Sequence, residues 1–438
     1  MPSIPNAILY APGINELASS GAIDGVAQRL ARALDHQDDE VAVTYEVRVL
    51  PTEPYAGGTA FTEVRELVRC VQGKELMVTH RIYNLDYQPA LDDEQPEGNL
   101  FTQMLAVARV WAWMGWVFFS RTLALDSIGS KQKTALFVGG CFLLLLTGYL
   151  AVLVIAVIQA AILAVDPNVI QKLHSVIPPL LEPYAQCGWD YAKAIWQHGG
   201  SLLSALVVLA GLVGLSFEST RAWLKGLVQM FLSFCRYLDG GLGRSACTGK
   251  FNDLLEHILE QAPSRVDIIS YSMGSLIALD ALFPDKDSPN PRTSRVTTMT
   301  TIGCPFDLVR TFWPDYFADR ATSNRPPRWV NVFSPVDLLG SNFANEDGVG
   351  AAVTRGINAT DPKGTGSTTL VNSTGTALVP KTNLDYDHAG RKKLDLANAI
   401  FGGAYLAHSQ YWVRGDNRAE SCFKLLVPRL YETGSQSP

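Results

Sequence analysis

Charge is scarce along this chain. Only 18% of its 438 residues are Asp, Glu, Lys or Arg, and they balance to a net charge of −6 with an isoelectric point near 5.7. Proteins that bind nucleic acid neutralise phosphates with a basic surface, so this balance excludes nucleic acid as the main partner. Cysteine is also sparse. The seven residues are scattered with no C-x-x-C spacing, which indicates neither a zinc site nor a disulfide framework and suits a reducing compartment. No secretory signal is expected, because residues 1–6 carry no charged side chain and the apolar run Ala7–Tyr10 is too short for the core of one. There is no internal repeat.

Long apolar runs are present in place of charge. Thr134–Val165 holds 32 residues without a formal charge, rich in Leu, Ile, Val and Phe. About 20 apolar residues cross the hydrocarbon of a bilayer, and a central charge would cost about 3 kcal/mol, so this stretch is expected to span a membrane. Ala194–Phe217, built around Leu202–Leu215, is long enough for a second span. Its Ser204, Gly211 and Gly214 permit close packing against the first, and a re-entrant or interfacial helix is the alternative. Leu105–Phe119, with Trp111, Trp113 and Trp116, reads as an interfacial segment or a third span. Phe217–Leu238 reads as an amphipathic helix at the membrane surface. Arg121, Lys131, Lys133, Arg221, Lys225 and Arg236 lie on the outer arms of this hairpin, whereas the connecting loop carries Lys172 and Lys193. The positive-inside rule then places the rest of the chain on the cytoplasmic face of an integral, multi-pass membrane protein.

The chemistry is signalled by Ser270-Tyr271-Ser272-Met273-Gly274-Ser275. This run lies between the apolar Val266–Ile269 and the helix-like Leu276–Leu282. A strand, a sharp turn and a helix with a serine at the apex form a nucleophile elbow, here written S-x-S-x-G. Such a serine needs a base and an orienting acid. Trp329–Phe333 reads as a buried strand, and Ser334-Pro335-Val336-Asp337 follows as a turn, which makes Asp337 the acid. Asp307 is its rival. His36, His80, His174, His198 and His257 all precede Ser272. These segments resemble the α/β-hydrolase superfamily, and that resemblance implies the chain order Ser, Asp, His, in which the base is His408 or His388. His408 precedes the aromatic pair Tyr411-Trp412, which can pack down and fix its ring, while His388 sits in a polar stretch typical of a solvated loop, so His408 is the base. Ala7–Tyr10 reads as a strand running into Ala11-Pro12-Gly13-Ile14, whose turn can aim amides at an oxyanion. Ile14 and Met273 are the expected donors.

On these segments, and on Thr298–Ile302 running into Gly303-Cys304-Pro305, the chain resembles the α/β-hydrolase superfamily and, within it, the membrane-associated lipases and acyl-ester hydrolases. The resemblance covers roughly residues 1–90 and 240–430. Pro12 stands where many members have His. The resemblance implies an α/β fold whose mostly parallel sheet is flanked by helices, here carrying an inserted transmembrane helical hairpin. The expected organisation is residues 1–100 with the oxyanion loop, 101–239 as the membrane insertion, and 240–438 with nucleophile, acid and base. It further implies a serine hydrolase acting on lipid or acyl esters through an acyl-enzyme, with no metal or organic cofactor. The alternatives are an acyltransferase using the same intermediate and a non-catalytic relative that binds or assembles at the membrane. Phe306, Leu308, Val309, Phe312, Trp313, Tyr316 and Phe317 would line an acyl pocket, touch the bilayer or pack in the core.

For the remainder, Ile23–Leu34 reads as a helix, and Val41–Leu50 and Glu75–Tyr83 as strands. Residues 346–383, rich in Gly, Thr, Ser and Asn, read as a long loop or irregular hairpin. Asp267 and Asp280, inside a strand and a helix, read as ion-paired or solvated rather than catalytic.

Overall fold

The computed structural model describes residues 6–14, 21–37, 43–92, 233–284, 289–313, 316–317, 320, 328–334, 337, 339–341, 357–359, 368–371, 377–378, 382–385, 408, 411–412 and 421–431, with 109, 112–113, 115–116, 137 and 141. The expected membrane hairpin lies outside the described residues apart from Phe137 and Cys141. Among the described residues, no helix is long and apolar enough to cross a membrane. The chain divides into two compact units. One comprises Met1–Glu97, Trp116–Gly140 and Ser233–Pro438, and the other Gly98–Gly115 and Cys141–Leu232. Every strand described below belongs to the first.

That unit is built on an eight-stranded sheet. Its first half contains β1 (Ala7–Ala11), α1 (Ala22–Gln37), β2 (Val43–Val49), the short β3 (Glu53–Tyr55) and β4 (Ala60–Thr62), β5 (Val64–Val71), β6 (Lys74–Asn84) and α2 (Gln88–Asp92). The second half contains α3 (Leu242–Glu260), β7 (Val266–Tyr271), α4 (Met273–Leu282), β8 (Thr298–Ile302), α5 (Phe306–Phe312), β9 (Arg328–Phe333), β10 (Ile357–Ala359), β11 (Thr368–Val371), β12 (Ala377–Leu378), β13 (Thr382–Asp385) and α6 (Phe423–Tyr431). The strand order is β13-β9-β8-β7-β1-β6-β5-β2. Neighbours run parallel from β13 to β6, and β5 is antiparallel to both β6 and β2. Gln72 and Gly73, both at positive φ, close the β5–β6 hairpin, as a two-residue turn matched to strand twist requires. The protein is thus α/β, with a mostly parallel mixed sheet flanked by helices.

Side-chain alternation along the central strands sorts the core into two layers. Ala7, Leu9 and Ala11 of β1 join Ile268 of β7 and the buried faces of α3 and α4. Ile8 and Tyr10 face the other way, with Ile269 and Tyr271, against α1 and α6. In α1 the buried Ile23, Val26, Ala27, Leu30, Ala31 and Leu34 fall at the spacing of one helical face. Every residue of α4 is buried, which explains its nearly unbroken apolar run.

Within residues 346–383, read as a long loop or irregular hairpin, β10, β11 and β12 pair as a three-stranded antiparallel sheet. One expectation needs correction: Asn383–Asp385, part of the stretch before His388 read as solvated loop, belongs to β13, an edge strand parallel to β9 with Leu384 opposite Val332. The aromatic segment after β8 packs in the core. Phe306, Val309 and Phe317 are buried there, and Leu308 and Phe312 are also buried. Trp113 and Trp116 are exposed helical residues, whereas Tyr237 and Leu238, at the end of the expected surface helix, are buried in the core.

Asp280 on α4 is ion-paired, and heavily so. Its carboxylate accepts Arg320 Nη2 at 2.6 Å, the Tyr237 hydroxyl at 2.7 Å and the Tyr316 hydroxyl, with Arg244 Nε at 3.1 Å. Burial, reinforced by Asp280, pushes both phenols above their ordinary ionisation, so they remain donors. Removing the carboxylate would leave two guanidinium groups facing each other without it. Asp280→Ala is therefore expected to cost about 3–5 kcal/mol of stability, measured by denaturant or thermal unfolding. A loss below about 1 kcal/mol would contradict the network's buried character.

Candidate functional site

The segments that carry Ser272, Gly303 and Asp337 follow β7, β8 and β9 at the carboxyl ends of the parallel strands, where open α/β sheets form their binding crevices. β7 ends at Tyr271, and Ser272 follows with φ 51° and ψ −122°, a conformation costly for a residue with a Cβ. The turn is held by the Ser272 amide donating to Ile302 O at 2.9 Å and by the Ser275 amide donating to Ser272 O at 3.0 Å. The need for a small residue two places later is steric. A Cβ on Gly274 would lie 2.2 Å from Ala11 O and 2.5 Å from Pro12 O, because the first turn of α4 presses on the end of β1. Ser270, two places before, is accommodated because its hydroxyl donates to Thr300 O of the neighbouring strand at 2.8 Å.

Asp337 lies beyond the end of β9 in a turn whose own amide donates to Ser334 O at 2.9 Å. Its Oδ1 accepts the Leu339 amide at 2.9 Å, a local bond that suits Asp to such turns. The loop is tied down by the Ser341 amide to Cys304 O at 2.8 Å and by Asn331 Nδ2 to Ser341 O at 2.9 Å. His408, 137 residues after Tyr271, is held over the elbow by that tyrosine. The Tyr271 hydroxyl donates to His408 O at 2.6 Å, and the two rings stack with centroids 5.2 Å apart.

The structure brings Ser272, His408 and Asp337 into one chain of hydrogen bonds. His408 Nε2 is 2.8 Å from Ser272 Oγ, and His408 Nδ1 is 2.8 Å from Asp337 Oδ2. Asp337 is 3% exposed and His408 5%, so water competes little for these bonds. An ionised carboxylate accepts only, so the shared proton belongs on Nδ1, leaving Nε2 to accept from the serine hydroxyl. Gly303, at φ +54°, makes room for the ring. A Cβ there would meet the Tyr411 ring at 2.8 Å and His408 Cε1 at 3.1 Å.

Of the two oxyanion candidates, Met273 directly follows the serine. The Met273 amide opens α4, where a helix leaves its first amides without intrahelical acceptors and carries partial positive charge. Ile14 sits in the turn after β1, packed against the core, and the preceding Gly13 approaches the elbow so closely that a Cβ on it would lie 3.1 Å from Ser272 Cβ. Tyr87, donating to Pro12 O at 2.9 Å, anchors that turn. Among the rivals, His388 lies outside the described residues, and Asp307 is a residue of α5 whose side chain also lies outside them. Asp267 is buried on β7 beside Arg265 at 2.7 Å, with burial raising its carboxyl above the usual range.

Two residues of the site escaped the sequence reading in their roles. Tyr411 was visible as part of an aromatic pair, but its hydroxyl bonds Asp337. Tyr271 occupies a variable position of the elbow, and nothing local signals that it holds a histidine so far along the chain. Among the described residues, no group of three or more His, Cys, Asp or Glu side chains is gathered as for a metal ion. The chain matches no protein-family model, no curated protein and no solved structure.

Proposed function

We propose that the protein is a membrane-anchored serine hydrolase of α/β-hydrolase type that cleaves carboxylic esters, with Ser272, His408 and Asp337 as its triad. The observation that carries this reading is the pair of 2.8 Å contacts joining Ser272 Oγ through the His408 ring to a buried carboxylate, with the serine on a positive-φ turn at the strand's carboxyl end. His408 Nε2 takes the Ser272 proton as Oγ attacks the ester carbonyl. Amides at Met273 and Ile14 receive the oxyanion, and the proton passes to the departing alkoxide as the ester C–O bond breaks. Water, deprotonated by the same nitrogen, then releases the acid and restores the serine. Asp337 keeps Nδ1 protonated and balances the transient imidazolium.

The substrate proposed is a lipid or acyl ester, because the uncharged Thr134–Val165 and Ala194–Phe217 would tether the site to a bilayer. The test is labelling of the detergent-extracted protein with a fluorophosphonate probe, followed by a screen of lipid esters against wild type and Ser272→Ala. Labelling with ester turnover that requires Ser272 is expected, and the absence of both would refute the proposal.

We also propose a cytoplasmic face for the catalytic unit. It follows from the Lys/Arg excess on the outer arms and from the need for β1 and β7, paired in one sheet, to lie on the same side. Single cysteines on a cysteine-depleted background should react with an impermeant thiol reagent on intact cells at position 180, and not at positions 60 or 425. Protection at 180 with labelling at 60 would reverse the orientation.

A further inference from the structure

The hydroxyl of the fully buried Tyr411 donates to Asp337 Oδ2 at 2.8 Å and accepts the Ser334 amide at 2.9 Å. The same carboxylate oxygen faces His408 Nδ1, while Oδ1 takes the Leu339 amide. Burial, and then the adjacent Asp337, push the phenol well above its ordinary ionisation, so it stays a donor. The packing is arranged around this contact. A Cβ on Gly340 would lie 2.5 Å from Asp337 Oδ2 and 2.7 Å from the Tyr411 hydroxyl, and one on Gly303 would strike the Tyr411 ring.

Resting on the serine-hydrolase reading, we propose that Tyr411 is a positioning residue that shares the charge of Asp337 with His408 and so sets the lower pH limit of catalysis. A hydroxyl donating to Oδ2 draws negative charge away from the oxygen that faces the imidazole. The imidazolium is then held less strongly, and the free base that must accept the Ser272 proton persists to lower pH. The groups facing His408 are Ser272 and Tyr271 from the end of β7, Asp337 from the loop after β9 and Tyr411 from its own segment. Gly303 after β8 presents backbone alone. Among the described residues Asp337 is the ionic partner of His408, so its charge is the one a neighbouring donor can modulate.

The experiment follows the rate of phosphonylation by a fluorophosphonate, with fluoride as the leaving group, from about pH 5 to about pH 9, the range in which histidine titrates. It uses full-length, detergent-extracted wild type, Tyr411→Phe and Tyr271→Phe. Tyr411→Phe should lower the plateau about tenfold and move the acid limb to higher pH. Tyr271→Phe, which removes the donor to His408 O but leaves all donors to Asp337, should lower the plateau with the limb unmoved. Difluorotyrosine at position 411 strengthens the donor at nearly constant shape and should move the limb to lower pH, which keeps the test intact if Tyr411→Phe does not fold. An acid limb at or below the wild-type position in Tyr411→Phe, or one unmoved by difluorotyrosine, overturns the proposal. A wild type that resists the probe altogether overturns the hydrolase reading itself, an outcome distinct from a labelled wild type with an unshifted variant.

Discussion

Ser272→Ala is expected to abolish labelling by a fluorophosphonate and to lower ester turnover by about 10⁴- to 10⁶-fold, while leaving the protein folded. The size of the effect follows from what the alanine removes. The only heavy atom lost is the one hydrogen-bonded to His408 at 2.8 Å, and in the proposed mechanism no acyl-enzyme forms without it. The neighbouring serines provide the contrast. Ser270 spends its hydroxyl on Thr300 O, inside the sheet, and the buried Ser275 hydroxyl has no hydrogen-bond partner among the described residues. Ser270→Ala should cost about 1 kcal/mol of stability for its lost bond, and both Ser270→Ala and Ser275→Ala should retain most labelling and turnover. Labelling that survives Ser272→Ala would place the nucleophile elsewhere.

His408→Ala should be nearly as damaging as the serine change, with turnover reduced by at least about 10⁴-fold and phosphonylation by the probe slowed in parallel. The loss is chemical and structural together. Ser272 loses its proton acceptor, and the buried Asp337 loses one of its three donors. Substrate affinity should change far less than turnover, because in the proposed mechanism the imidazole acts on protons in transit rather than on bound ester. Steady-state kinetics on any ester the wild type accepts separates the two. His388→Ala should be mild, and the reverse ranking of the two histidines would mean that His388 supplies the base.

The parts of this site that depend on short-range pattern were legible in the sequence. The five residues Ala7–Ala11 and the run Val266–Tyr271 are buried strands because their apolar content suits burial on both faces of a parallel sheet. The elbow declares itself because steric demand at Gly274 and strain at Ser272 are local. The chain order implied by the resemblance, the turn after Trp329–Phe333 and the aromatic pair beside His408 together pointed to Asp337 and His408, which the structure places in contact.

What was not legible depends on charge burial or on distance in the chain. β5 reads poorly as a strand because Arg65, Glu66 and Arg69 interrupt its pattern. Arg65 and Glu66 are nonetheless buried, paired with Asp24 and, at 2.6 Å, with Arg81. β13 is polar Thr-Asn-Leu-Asp, a composition tolerated because it pairs along one side only, at the edge of the sheet. The hydroxyls of Tyr271 and Tyr411 find partners 137 and 74 residues away, contacts that no window of sequence contains.

Ser272 is the single nucleophile of the proposed reaction, and a fluorophosphonate should phosphonylate it alone. Peptide mass spectrometry of the wild-type protein after reaction with the probe is expected to find one phosphonylated peptide, spanning β7 and the start of α4, with the adduct on Ser272 and almost none of it when His408 is alanine. An adduct on Ser270, Ser275 or a residue outside the elbow, or an unmodified protein under conditions in which it is folded, would contradict it.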